Sequence, residues 1–125
     1  MTEFVGITDD TGNCYAASIA SITGLSFEEL QADVGSLQYY DRDKQRELNN
    51  RMVRLLESHG WAILNVGRRL PSGLSVAVGP SPRGSWSHCW VAWDGKPCFD
   101  PHPSGEYTET VNYYEVLISI VGVMP

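Results

Sequence analysis

The chain reads as an α+β fold, with N-terminal helices packed on a C-terminal antiparallel sheet. Two observations predict it. Before residue 60 apolar residues recur at helical spacing behind a recognisable cap; after Gly60 short strand-like runs alternate with Gly, Pro and Ser turns. At 125 residues, with 42% hydrophobic and 19% charged side chains, the composition suits a single domain, residues 1–125, around one modest core.

In chain order, residues 1–12 read as an extended entry with a turn at Asp9-Asp10-Thr11-Gly12. Residues 14–23 carry Ala16, Ala17, Ile19, Ala20 and Ile22 on most sides, which predicts a short, buried, closely packed helix ended by Gly24. Ser26-Phe27-Glu28-Glu29 is a capping box, starting a second short helix that ends near Val34-Gly35. Leu48, Met52, Leu55 and Leu56 form the stripe of a third helix from about Asp43 to Ser58, with Gly60 as its stop. Strands are expected at Trp61 to Val66, Gly73 to Val78, Ser87 to Trp93, Lys96 to Phe99 and Val116 to Val123.

The formal net charge of -6 argues against nucleic-acid binding, since no Lys/Arg stripe is available to neutralise phosphates. The densest positive stretch, Arg42 to Arg54, is set among Asp41, Asp43 and Glu47 and reads as a solvated helix face. No apolar run is long enough to cross a membrane, and the first ten residues lack a signal-peptide pattern. Three cysteines, an odd number, fit reduced thiols in a cytoplasmic setting better than a disulfide framework.

The chemistry-bearing residues are Cys14, His88 and Asp100. Cys14 opens its helix, where the positive end of the dipole and free N–H groups favour a thiolate. A histidine oriented by a carboxylate is the usual base for such a thiol. Period-two alternation puts His88, Trp90 and Ala92 on one strand face and Cys89, Val91 and Trp93 on the other.

Whether Asp100 reaches His88 depends on the Trp93-Asp94-Gly95-Lys96 turn. A two-residue turn pairs Trp93 with Lys96 and sets Asp100 opposite Cys89, on the wrong face. A three-residue loop pairs Ala92 with Lys96 and sets Asp100 opposite His88. Asp-Gly suits both, and the catalytic arrangement calls for the second.

Competing uses of these residues exist. Asp100 before Pro101 is a turn former. His102, between Pro101 and Pro103, is a rival imidazole. Cys98-x-x-x-His102 with His88, Cys89 or Cys14 supplies zinc-type ligands, but no C-x-x-C knuckle occurs and no metal is expected. The run Gly79-Pro80-Ser81-Pro82-Arg83-Gly84 reads as a stiff loop before the His88 strand; Trp86 and Trp90 are candidates to wall a substrate groove.

With Cys14, His88 and Asp100 in order on a helix-then-sheet plan, the chain resembles papain-like cysteine proteins. More narrowly, Gly12 to Ser21, Gly79 to Gly84, His88 and Asp100-Pro101-His102-Pro103-Ser104 resemble small papain-like proteins encoded by phages and prophages. The resemblance implies a cofactor-free thiol hydrolase acting on an amide, peptide or isopeptide bond of a peptide or protein substrate. Cys14 is then the nucleophile, His88 the base and Asp100 its orienting group, in a host-cell cytoplasm.

One departure stands out. Papain-like enzymes usually carry a Gln shortly before the cysteine to hold the oxyanion, and residues 6–13 contain none. Asn13, Thr11 or Thr8 is left to donate beside the Cys14 N–H, and one lost donor costs about 10²–10³ in rate. The alternatives are therefore a cysteine acyltransferase, or a catalytically weak binding or regulatory protein of phage–host interaction. The latter would use exposed Tyr39-Tyr40 or Tyr113-Tyr114.

Overall fold

The computed structural model describes residues 14–34, 42–81, 87–102 and 110–120. Three helices precede five strands: α1 (Cys14–Thr23), α2 (Phe27–Val34), α3 (Arg42–Ser58), β1 (Trp61–Asn65), β2 (Leu74–Pro80), β3 (Ser87–Trp93), β4 (Lys96–Phe99) and β5 (Tyr113–Ser119). The strands form one antiparallel sheet in the order β1-β5-β2-β3-β4. The α+β class follows directly from this segregation.

The helices lie on one face. α1 packs against β3, β2 and β5, α2 against α3 and α1, and α3 against β1. Between them sits the main core, with Ala17, Ile19, Leu48, Met52, Leu56, Val76 and Val78 buried. Each fully buried Leu, Ile, Val or Met side chain there removes enough apolar surface to contribute about 2 kcal/mol. The other face of the sheet holds a smaller cluster of Ala77, Trp90, Ala92 and Tyr114, against which Val66 and Val111 pack.

Local chemistry explains the helix ends. The Gly24 N–H closes α1 on the Ala20 carbonyl at 2.9 Å. At α2 half of the expected capping box forms: the Glu29 N–H donates to Ser26 Oγ at 3.2 Å. The reciprocal arm is absent because the Glu29 carboxylate instead meets His59 Nε2, at 3.1 Å, from the end of α3.

Three strand boundaries differ from expectation. β1 ends at Asn65, whose Oδ1 takes the Gly67 N–H at 2.8 Å and starts a turn. β2 runs on through Gly79 and Pro80, which pair with His88 and Ser87. They are the end of a strand, not the stiff loop expected there; Pro80 is tolerated as its last residue because a strand end needs no further donor. Gly79 is required by close approach: a Cβ there would collide with the Thr110 carbonyl oxygen and sit 3.0 Å from the Trp90 ring. β5 begins at Tyr113 rather than Val116 because it pairs there with Val78 of β2. Tyr113 and Tyr114 are consequently not an exposed pair: Tyr114 is buried and Tyr113 half-buried. Tyr39-Tyr40 lies outside the described residues.

Candidate active site

The β3–β4 hairpin decides where Asp100 goes. Asp94 and Gly95 both have positive φ, 51° and 81°, the signature of a two-residue type I′ turn. Trp93 accordingly pairs with Lys96 and Ala92 with Pro97, the arrangement expected to misplace Asp100. The next pair is Val91 with Phe99, so Cys98 is an extra residue on β4. This bulge shifts the register by one and reverses the facing of everything after it. Continued past Phe99, it puts Asp100 across from Trp90, on the His88 face and diagonal to His88. The three-residue loop is not needed.

Asp100 then does two jobs with its two oxygens. Oδ2 lies 2.8 Å from His88 Nε2. Oδ1 accepts the His102 N–H at 2.8 Å, an Asx turn of the kind an Asp-Pro sequence favours. The turn-forming and imidazole-orienting roles of Asp100 are compatible. His102 itself sits edge-on to His88, with ring centroids 6.4 Å apart.

Cys14 reaches the same imidazole from the helix side. The Val78 carbonyl points toward β5, where it accepts the Asn112 N–H, so Val78 and its β3 partner Cys89 are a non-hydrogen-bonded pair. The Cys89 N–H therefore faces away from β2, where β4 has already stopped pairing beyond Val91. The Cys14 sulfur fills the gap and accepts that N–H at 3.3 Å. At this open stretch of edge Cys14 meets both consecutive residues of β3. It hydrogen-bonds the His88 ring and the Cys89 thiol, although these side chains leave the strand on opposite faces. With Asp100 holding Nε2, the nitrogen left for Cys14 is Nδ1.

The electrostatics follow from these contacts. The Cys14 thiol is lowered to about 5: the hydrogen bond from the Cys89 thiol acts most strongly, burial opposes it, and the hydrogen bond and charge of His88 add to the lowering. Burial alone would lower His88, but hydrogen bonds to Asp100 and then Cys14 outweigh it and raise it to about 9. Cys89 is pushed the other way, well above its ordinary value, by its hydrogen bond to Cys14 and by burial. Near neutral pH the group is thus a Cys14 thiolate and His88 imidazolium, with Cys89 a neutral donor. Cys14 keeps 8% of its surface exposed, against 2% for His88.

Around this centre, Glu115 of β5 lies beneath α1, its carboxyl raised by burial against a hydrogen bond from Tyr15 that lowers it. Trp90 is 1% exposed, packs with Ala77, Ala92 and Tyr114, and stacks at a tilt beneath the His88 ring at 5.8 Å. It occupies the position of a core aromatic supporting the imidazole. Asn13, Thr11, Thr8 and Trp86 lie outside the described residues.

Cys89 is the residue that sequence reasoning missed. Alternation sets it on the strand face opposite His88, and the sequence offers it only as a zinc-type ligand, not as a partner of the Cys14 sulfur. Among the described residues no group of three or more His, Cys, Asp or Glu side chains is arranged to hold a metal ion; Cys98 is exposed on the bulge. No helix among them is long and apolar enough to cross a membrane. Compared with protein-family models, curated proteins and solved structures, the chain finds no match.

Proposed function

We propose that this chain is a papain-like cysteine hydrolase that cleaves an amide, peptide or isopeptide bond. Papain-like is the narrower form of α+β adopted here: a nucleophile heading a helix, laid on an antiparallel sheet that supplies the base and its carboxylate. The observation that carries the reading is one imidazole that meets both groups, Asp100 at 2.8 Å on Nε2 and Cys14 through a hydrogen bond to its sulfur. Three ordinary core residues have no reason to converge in that order.

In this mechanism the Cys14 thiolate attacks the carbonyl carbon. The His88 imidazolium gives its proton to the departing amine, leaving an acyl-thioester on Cys14. Neutral His88 then takes a proton from water, which attacks the thioester and releases the acid and the Cys14 sulfur. Asp100 fixes the ring so that the same nitrogen faces sulfur and leaving group in turn.

The test is paired. Iodoacetamide should alkylate Cys14 fastest of the three cysteines at neutral pH, and His88→Ala should slow it. A library of fluorogenic peptide and isopeptide amides should yield at least one substrate whose hydrolysis is lost in Cys14→Ala. Equal reactivity of all three thiols in the folded protein overturns the thiolate. Rapid Cys14 alkylation with no Cys14-dependent hydrolysis of any library member overturns the hydrolase.

A further inference from the structure

Cys89 makes and breaks no bond in that mechanism, where it only helps Cys14 ionise, yet it is bound to the nucleophile twice. Its N–H donates to Cys14 Sγ at 3.3 Å, and its thiol hydrogen-bonds the same sulfur. The two cysteines come from α1 and β3, 75 residues apart in sequence, and both are buried side by side at the head of the helix. The third, Cys98, is exposed on the β4 bulge.

We propose that Cys14 and Cys89 form a reversible intramolecular disulfide when the protein meets a peroxide, with Cys14 the sulfur oxidised first and Cys89 the resolving thiol. The proposal rests on the reading of Cys14 as a thiolate beside His88, and goes beyond it by giving that sulfur a second fate that needs no substrate.

The chemistry balances with hydrogen peroxide as oxidant. The Cys14 thiolate attacks one peroxide oxygen; the O–O bond breaks, the S–O bond of a sulfenic acid forms, and the departing hydroxide takes a proton from His88 to leave as water. The Cys89 sulfur then attacks the sulfenic sulfur. An S–S bond forms, the S–O bond breaks, and the hydroxide leaves as water with the Cys89 thiol proton. In sum two thiols and one peroxide give one disulfide and two waters. A dithiol reverses it by exchange, becoming the oxidised partner while both cysteines return to thiols.

The arrangement serves protection as well as control. A thiolate without a neighbouring thiol is carried on to sulfinic and sulfonic acids, which are not returned by thiols. Here the resolving group is already hydrogen-bonded to the sulfur. The disulfide consumes the nucleophile, so the protein is silenced under oxidation and restored by reduction.

The experiment treats the full chain with a small excess of hydrogen peroxide, blocks free thiols, and maps peptides without reduction. The expected product has lost the mass of two hydrogens, links the Cys14 and Cys89 peptides, and reverts with dithiothreitol. Cys98→Ser should form it equally; Cys89→Ser should instead add two or three oxygens at Cys14. Oxygen addition at Cys14 in the wild-type chain, with Cys89 still free, overturns the proposal; so does a disulfide that uses Cys98. The wild-type map decides by itself, so the test survives even if Cys89→Ser misfolds. Iodoacetamide labelling of the untreated protein separates the two readings: slow Cys14 alkylation there sinks the thiolate itself, whereas fast alkylation without the disulfide sinks only this inference.

Discussion

Asp100 Oδ2 sits 2.8 Å from His88 Nε2 because of one surplus residue, Cys98, placed between a two-residue turn and the end of β4. The same carboxylate holds the His102 N–H with its other oxygen. An amide offers a single acceptor, so Asp100→Asn must give up one of these bonds. The expected loss in kcat/KM is on the order of 10²–10⁴. Imidazole NMR should report His88 falling from about 9 toward its ordinary 6.5. An unmoved His88 titration would make Asp100 a turn residue and nothing else.

The pH–rate profile should be a bell. Below about 5 Cys14 takes up a proton and the nucleophile is lost; above about 9 His88 loses the proton needed by the leaving amine. Measured kcat/KM should therefore be flat between those limbs. A single rise near pH 9, the ordinary thiol value, contradicts the ion pair.

Stability should follow a related but distinct pattern. The Cys14 value is depressed, so its contribution is present above the unfolded thiol's 9.0 and lost as pH falls toward 5. The His88 value is raised, so its contribution is present below the unfolded 6.5 and lost as pH rises through 9. Between 6.5 and 9 the losses and gains offset, since folded and unfolded chains each hold one proton on the pair. Between 6.5 and 5 the unfolded chain holds two and the folded chain one, so stability is lost as the pH drops from 6.5 to 5. Urea denaturation across this range should show that fall in the wild type and its disappearance in Cys14→Ala.

Gly79 pairs with His88 and has the Thr110 carbonyl where a side chain would begin. Gly79→Ala must push apart the 110–112 segment or the Trp90 ring, at a cost of roughly 1–3 kcal/mol. Because the shift falls beneath His88, slower Cys14 alkylation should accompany the lower urea midpoint.

Glu115 Oε1 is buried with no hydrogen-bond partner among the described residues, and burial raises its carboxyl. Above the ordinary carboxylate value of 4.5 the folded state bears the cost of a desolvated charge, so its contribution falls as pH rises. Glu115→Gln keeps a bond to Tyr15 and should gain roughly 1 kcal/mol at pH 8, with little gain at pH 4. Thermal melts at the two pH values check it.

Much of this was legible in the residues. α1, α2 and α3 announced themselves because caps and apolar spacing are local, and Cys14 and His88 because their chemistry is specific. The bulge was not legible: Asp94-Gly95 suits two turns, and nothing about Cys98 marks it as the surplus residue. Cys89 was hidden for a related reason. Side-chain alternation describes a strand within a sheet, whereas Cys89 acts through its backbone N–H and thiol at an edge that β4 has abandoned. Tyr113 reads as surface in the sequence because its pairing with β2 is non-local.

The convergence of α1 with β3 also has a kinetic meaning. A sulfur that ionises near 5 in the assembled chain returns to its ordinary 9.0 once α1 and β3 part. Pulsed alkylation during refolding would therefore time the docking of the first helix onto the sheet, with the protein's own cysteine serving as the stopwatch.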